Sequence, residues 1–179
     1  MSSDSPKRAS DPSPTRPFDM ARVSVLVHVD PDTAFRIFSE DIDQWWRRGY
    51  KYRASGADRG ILYLEPRVGG RLYESFERAG VKRVVETGLV LEWSPPERLA
   101  FEWRSVTFAP HERTHVEVRF EPQGDATLVT VTHRGFAQLP PEHPVRHGAQ
   151  GAAFIGRMAL WWSELVTSYR ERSEASASS

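Results

Sequence analysis

The chain has 179 residues, which gives room for one domain with a proper core and too little for two comfortable ones. Its 24 lysines and arginines balance 24 aspartates and glutamates, so the basic excess of a phosphate-binding surface is missing and no nucleic-acid partner is expected. There is no cysteine, which excludes disulfides, thiolate catalysis and cysteine-based zinc sites, and no apolar run approaches a membrane span or a signal core, so a cytoplasmic protein is expected.

Residues 1–17, "MSSDSPKRASDPSPTRP", are serine, proline and charge, unable to bury enough surface to offset their ordering entropy, and are expected to form a disordered arm. Residues 172–179 are expected to fray in the same way, leaving a domain over 18–171. "ARVSVLVHV" carries Val23, Val25, Val27 and Val29 at period two, a strand with one buried face. Asp30 then offers an N-cap and Pro31 a first helical residue, with Ala34, Phe35 and Phe38 making the apolar stripe. A second short helix is expected over about Asp41–Arg47, carrying the adjacent Trp45 and Trp46. Adjacent helical positions point about 100° apart, so one indole is expected to plug the open end of the sheet. The other is expected at the rim, under Arg47 or Arg48.

From there the pattern is strand-like. "ILYLEP" is one strand, and "GGRLYESFE" alternates Leu72, Glu74 and Phe76 against Arg71, Tyr73 and Ser75. "VKRVVETGLVLEWS" is longer, with Gly88 signalling a bulge or bend. "RLAFEWRS" places Leu99, Phe101 and Trp103 on one face, and "THVEVRFEP" does the same for Val116, Val118 and Phe120. "QGD" turns the chain back into "ATLVTVTHRGF". The last element, from Val145 to Arg170, changes to a 3.6-residue period, with Phe154, Met158, Trp161, Leu165 and Tyr169 in line and Ile155, Trp162 and Val166 beside them. A helix so apolar on one face must lie against the sheet. The order predicts an α+β domain in which a curved antiparallel sheet wraps a long C-terminal helix, with two short helices after the first strand.

This order resembles the helix-grip fold of the START-like (SRPBCC) superfamily. The pieces "VSVLVHVDPDTAFRIFS", "WW", "PRVGGRLYESF", "GLVLEWSPPERLAFEW" and "THVEVRFEPQGDATLVTVTHRGF", with Trp162, Leu165 and Tyr169, resemble the branch named for the activator of the ninety-kilodalton heat-shock-protein ATPase. The spacing around "FSEDIDQWW" is also similar to enediyne self-resistance proteins. The resemblance implies a cavity between sheet and helix for a hydrophobic or aromatic small molecule, in carriage, sequestration or natural-product resistance. Its ligand-binding residues would be Trp45, Tyr63, Tyr73, Phe76, Phe101, Trp103, Phe136, Phe154, Met158 and Trp162, and core packing is the competing use of each. Relatives commonly have glycine before the terminal-helix tryptophan. Here Trp161 stands there, to fill space near the cavity or to face solvent.

Two other functions compete: a protein-interaction module contacting a chaperone through the outer sheet face, and a polyketide cyclase-like enzyme using His133, Tyr73, Arg104 and Glu74. Charged pairs on strands are more often cross-strand salt bridges. No G-x-S-x-G, H-E-x-x-H, P-loop or dinucleotide motif is present, so no catalytic residue and no cofactor is expected. His111 with His115 and His143 with His147 are two loose pairs, short of the converging ligands zinc needs, so no metal is expected either.

Overall fold

The computed structural model describes residues 19–177, and the arm expected over 1–17 lies outside them. Strand β1 (Met20–Val27) turns Ala21, Val25 and Val27 inward. Helix α1 (Pro31–Ser39) starts where expected: the Asp30 carboxylate accepts from the Thr33 backbone N–H at 3.0 Å and from the Thr33 hydroxyl at 2.8 Å. Helix α2 is shorter than expected, Ile42–Trp45. The remaining strands are β2 (Ile61–Leu64), β3 (Arg71–Arg78), β4 (Val81–Ser94), β5 (Arg98–Trp103), β6 (Thr114–Gln123) and β7 (Ala126–Arg134). They form one sheet in the order β1-β7-β6-β5-β4-β3-β2, and every pair is antiparallel.

The sheet curves because β4 carries two extra residues. Leu72 pairs with Gly88 and Tyr73 with Glu86, which leaves Thr87 unpaired on β4. Val90 pairs with Phe101 and Glu92 with Ala100, which leaves Leu91 unpaired. Each bulge bends the strand and raises its twist. Gly88 is required at the first: a Cβ there would stand 1.8 Å from the Glu102 carbonyl oxygen.

Helix α3 (Gly151–Ala177) closes the concave face, burying Phe154, Trp162, Leu165, Val166, Tyr169 and Ser173. It begins later than the apolar period suggested. Pro144–Arg146 is a separate 3-10 turn, and the left-handed backbone at His147 (φ 45°) and Gly148 (φ 76°) breaks the path. It also runs further than expected. Arg172, in the segment expected to fray, donates to Gln44 Oε1 at 2.8 Å and Asp41 Oδ2 at 2.7 Å, and buried Ser173 donates back to the Tyr169 carbonyl at 2.9 Å. The Arg172 contacts tie the last turns to α2 and its N-cap residue Asp41. The main core joins α1, α2, the second half of α3 and the sheet, while Ala21, Phe108, Phe136, Leu139 and Phe154 form a smaller one.

The tryptophan pair departs from expectation in an informative way. Both Trp45 and Trp46 are buried, each 2% exposed. The helix stops at Trp45, and Trp46 adopts extended backbone (φ −68°, ψ 116°), so the 100° helical offset does not apply to it. Trp45 Nε1 donates to the carbonyls of Ile37 and Phe38, and Trp46 Nε1 to that of Tyr52. Neither indole lies at the rim under Arg47 or Arg48; the Arg47 guanidinium stands over Tyr52 instead.

Candidate functional site

A cleft of about 780 Å³ opens beside the first half of α3. One wall is the segment Tyr50–Ala54, and the opposite side is the end of β5 and the segment after it, Trp103–Thr107. Pro144, Val145 and His147 close one end, and Phe154, Arg157, Met158, Leu160 and Trp161 supply the helix side.

The wall of residues 50–54 is held on both sides. Toward the helix, Lys51 Nζ and the Tyr52 hydroxyl donate to one Glu164 carboxylate oxygen, and Trp161 Nε1 donates to the Lys51 carbonyl at 3.0 Å. Those two bonds hold the Glu164 carboxyl below its ordinary range. Toward the sheet, the Arg53 guanidinium donates to Asp43 Oδ1 at 2.7 Å, the Trp46 carbonyl at 2.7 Å and the Asp43 carbonyl at 3.1 Å. It also stands 3.8 Å from the buried carboxylate of Glu74, which accepts from the Ser55 hydroxyl at 2.6 Å and the Ser55 N–H at 3.1 Å. Burial pushes the Asp43 carboxyl up, but bonds from the Leu62 N–H and Arg53 outweigh it and hold that group low.

The cleft's aromatic wall continues into the core. The Tyr52 and Trp161 rings stack at 6.0 Å, Trp161 lies 5.7 Å from Trp103, and Trp103 stacks on Trp46 at 5.5 Å. Trp161 thus resolves the choice left by its position: it is half-buried and forms part of the wall.

Behind this wall sits His133, fully buried. Trp162 Nε1 donates to His133 Nδ1 at 3.0 Å, which puts the ring proton on Nε2. Nε2 faces the Thr114 hydroxyl at 2.6 Å, and that hydroxyl donates onward to the Trp103 carbonyl at 3.3 Å. Burial pushes the His133 imidazole down to about 3. A folded-state value below the unfolded one of about 6.5 means that protonation favours the unfolded chain, so this contribution is complete above about pH 6.5 and declines as pH falls toward 3. Half-buried His115, also lowered by desolvation, acts with the same sign. Stability should therefore fall by about 2 kcal/mol between pH 7 and pH 5, before carboxylates titrate, while NMR of His133 still shows a neutral ring. Urea unfolding at the two pH values checks this, and equal stability would contradict it.

Of the ten aromatic and methionine residues expected at the site, the structure brings Trp103, Phe154 and Met158 to the cleft. Trp45, Phe101, Phe136 and Trp162 are buried behind it in the two cores. Phe76 is buried under the Arg78 guanidinium, 5.0 Å from its ring. Tyr63 and Tyr73 stack on each other at 5.0 Å across β2 and β3, with Tyr63 40% exposed. Sequence reasoning missed Tyr50, Tyr52, Arg157 and Leu160. The available signal was two tyrosines in a segment assigned to no strand or helix. The four groups considered for catalysis have separate neighbours: Tyr73 with Tyr63, Glu74 with Ser55 and Arg53, His133 with Trp162 and Thr114, and Arg104 at the cleft. Among the described residues no three metal-ligating side chains come together; His143 contacts Glu112 at 3.0 Å.

A curved antiparallel sheet closed around a long terminal helix, with two short helices after the first strand, defines a helix-grip protein of the START-like class. Residues 28–154 match the family model described as "Activator of Hsp90 ATPase homolog 1-like protein", and the chain belongs to that family. Solved structures of the same fold include a protein from Nitrosomonas europaea (14% identity, 90% of this chain and 97% of that one, TM-score 0.60). Another is an HSP90 activator from Plasmodium falciparum (15% identity, 83% and 91%, TM-score 0.53). A third is DynU16, from the dynemicin biosynthetic locus (17% identity, 88% of this chain, TM-score 0.59); the match takes in 48% of that longer chain. No curated protein matches the chain. Among the described residues no helix is long and apolar enough to cross a membrane.

Proposed function

We propose that the chain binds an apolar or aromatic small molecule in the cleft beside α3, without catalysing its conversion, and so carries or sequesters it. The observation that carries this reading is the cleft itself. Its volume of about 780 Å³ suits a drug-sized guest, and Tyr52, Trp103, Met158 and Trp161 give it apolar walls. Resistance to a natural product is one form of the role, and DynU16, which shares the fold, comes from the dynemicin biosynthetic locus.

The test uses the tryptophans as reporters. A panel of naphthalene-sized aromatics, neutral and anionic, should quench emission with micromolar affinity, about −8 kcal/mol. Met158→Trp adds an indole where the cleft has room, so it should keep the melting temperature and weaken binding by about tenfold. No quenching of the parent protein, or unchanged affinity in the variant, would overturn the reading.

A second reading, a module that docks on a chaperone or another protein, is favoured by one feature of the outer face. Ile61 and Val84 both pair with Ser75, and Tyr63 pairs with Tyr73 in the next outward row. Ile61 and Val84 are 48% and 52% exposed, two apolar side chains that flank Ser75 and adjoin the Tyr63–Tyr73 stack in one strip. Alanine at Ile61 and Val84 would abolish partner capture and leave quenching unchanged if this strip is the functional surface.

A further inference from the structure

Resting on the reading that the cleft takes a small molecule, we infer that its ligand is an amphipathic anion: an apolar ring system bearing one oxyanion group that faces Arg104 and Arg157.

The charge around the cleft is one-sided. Four of its lining residues, Lys51, Arg53, Arg104 and Arg157, are cationic and none is acidic, in a chain whose acidic and basic residues are equal in number. Two of the four are already engaged, Lys51 with Glu164 and Arg53 with Asp43. Arg104 is different. Among the described residues its guanidinium makes no hydrogen bond and no ion pair, and its Nε is buried without an acceptor. The other such nitrogen, Arg98 Nε, stands 3.3 Å from Glu92 Oε2, and Nη2 of the same guanidinium meets Glu117 at 2.6 Å. A buried donor left without an acceptor is costly, and native chains rarely keep one unless something supplies that acceptor.

Among the described residues Arg157 makes one long bond, to the neutral His147 carbonyl at 3.4 Å, and meets no carboxylate. It stands one residue before Met158 on the helix side, so charge and apolar wall are adjacent. The guanidinium fork matches planar or tetrahedral oxyanions with paired N–H donors, and it does so best where water is partly excluded. The chemistry fits a carboxylate or a phosphate on an aromatic body.

Three probes of one shape separate the possibilities: 2-naphthoate, 2-naphthyl phosphate and neutral 2-naphthamide, each followed by tryptophan quenching. At least one anion should bind about tenfold more tightly than the amide, and the better anion identifies the head group. That preference should shrink as salt rises from about 50 to about 500 mM, with the amide unaffected. Arg104→Gln and Arg157→Gln should each weaken the favoured anion several-fold and leave the amide alone. Arg170→Gln, which removes a charge elsewhere on α3, should change neither. If Arg104→Gln fails to fold, Arg157→Gln on the exposed helix surface carries the test. Equal binding of anions and amide, or a preference that survives both substitutions, overturns this inference and leaves the cleft reading standing. Absence of quenching by all three overturns both.

Discussion

Replacing Trp46 with alanine should lower the stability of the chain by about 3–5 kcal/mol. Its indole is the hub of the aromatic cluster, with ring centroids 5.4 Å from Trp45, 5.5 Å from Trp103, 5.8 Å from Trp161 and 5.7 Å from Trp162. Trp45, Trp161 and Trp162 are anchored by their own N–H bonds and cannot collapse into the space left behind, so the substitution loses both transfer energy and dispersion contacts. It also removes the donor to the Tyr52 carbonyl, and with it one of the attachments of the cleft wall. Ligand quenching should weaken along with stability. Tyr50→Ala is the contrast: Tyr50 belongs to the same wall but is 84% exposed, and its loss should cost no more than about 0.5 kcal/mol. Urea unfolding of both variants gives the comparison. Similar costs would mean that Trp46 is not packed as the structure has it.

The elements were legible because their periods are. Leu72, Glu74 and Phe76 face inward on β3 as alternation requires, and Leu99, Phe101, Val116, Val118 and Phe120 do the same on β5 and β6. Gly88 marked the bend in β4 before any pairing was visible. Limits appear wherever position depends on the third dimension. The local sequence implies a helical direction for Trp46, because nothing in it announces that the helix ends one residue earlier. Glu74 looked like one of the charges on a strand and is 1% exposed, because Ser55 and Arg53 arrive from a distant segment to receive it. The same holds for the cleft. Apolar periodicity identifies residues that face the core, so it found Phe101, Phe136 and Trp162, which are packed solid. It passed over Tyr52 and Arg157, whose place is set by bonds to Glu164 and by the later start of α3. A pattern that finds buried faces cannot tell a wall from the packing behind it.

The buried side of the cleft wall gives the other large effect. Arg53→Met keeps most of the apolar stem and removes a guanidinium whose side chain is 1% exposed. Its loss leaves the Glu74 carboxylate, equally buried, without its cation, and leaves the carbonyls of Asp43, Trp46 and Arg47 without their donor. Breaking one side of such a pair should cost about 3–5 kcal/mol, since the uncompensated charge remains in a poorly solvated place. Lysine at the same position should recover only part of that, because one ammonium cannot span the acceptors that the fork reaches. If the burden falls on Glu74, then adding Glu74→Gln to Arg53→Met should return at least about 1 kcal/mol, although Glu74→Gln alone is destabilising. Ser55 meets the two carboxylate oxygens separately, so in the glutamine variant its N–H keeps the amide oxygen while its hydroxyl turns to accept from the amide NH2. Urea unfolding of the parent, both single variants and the double variant forms the cycle. Strictly additive costs would show that Arg53 acts through Asp43 and the backbone carbonyls, independently of Glu74. A coupling of the expected sign would show that one buried charge pair fixes α2, and with it the segment that forms the cleft's outer wall. In that case Arg53→Met, assayed where it is still folded, should also lose ligand quenching, although its guanidinium is engaged with Asp43 rather than with any guest.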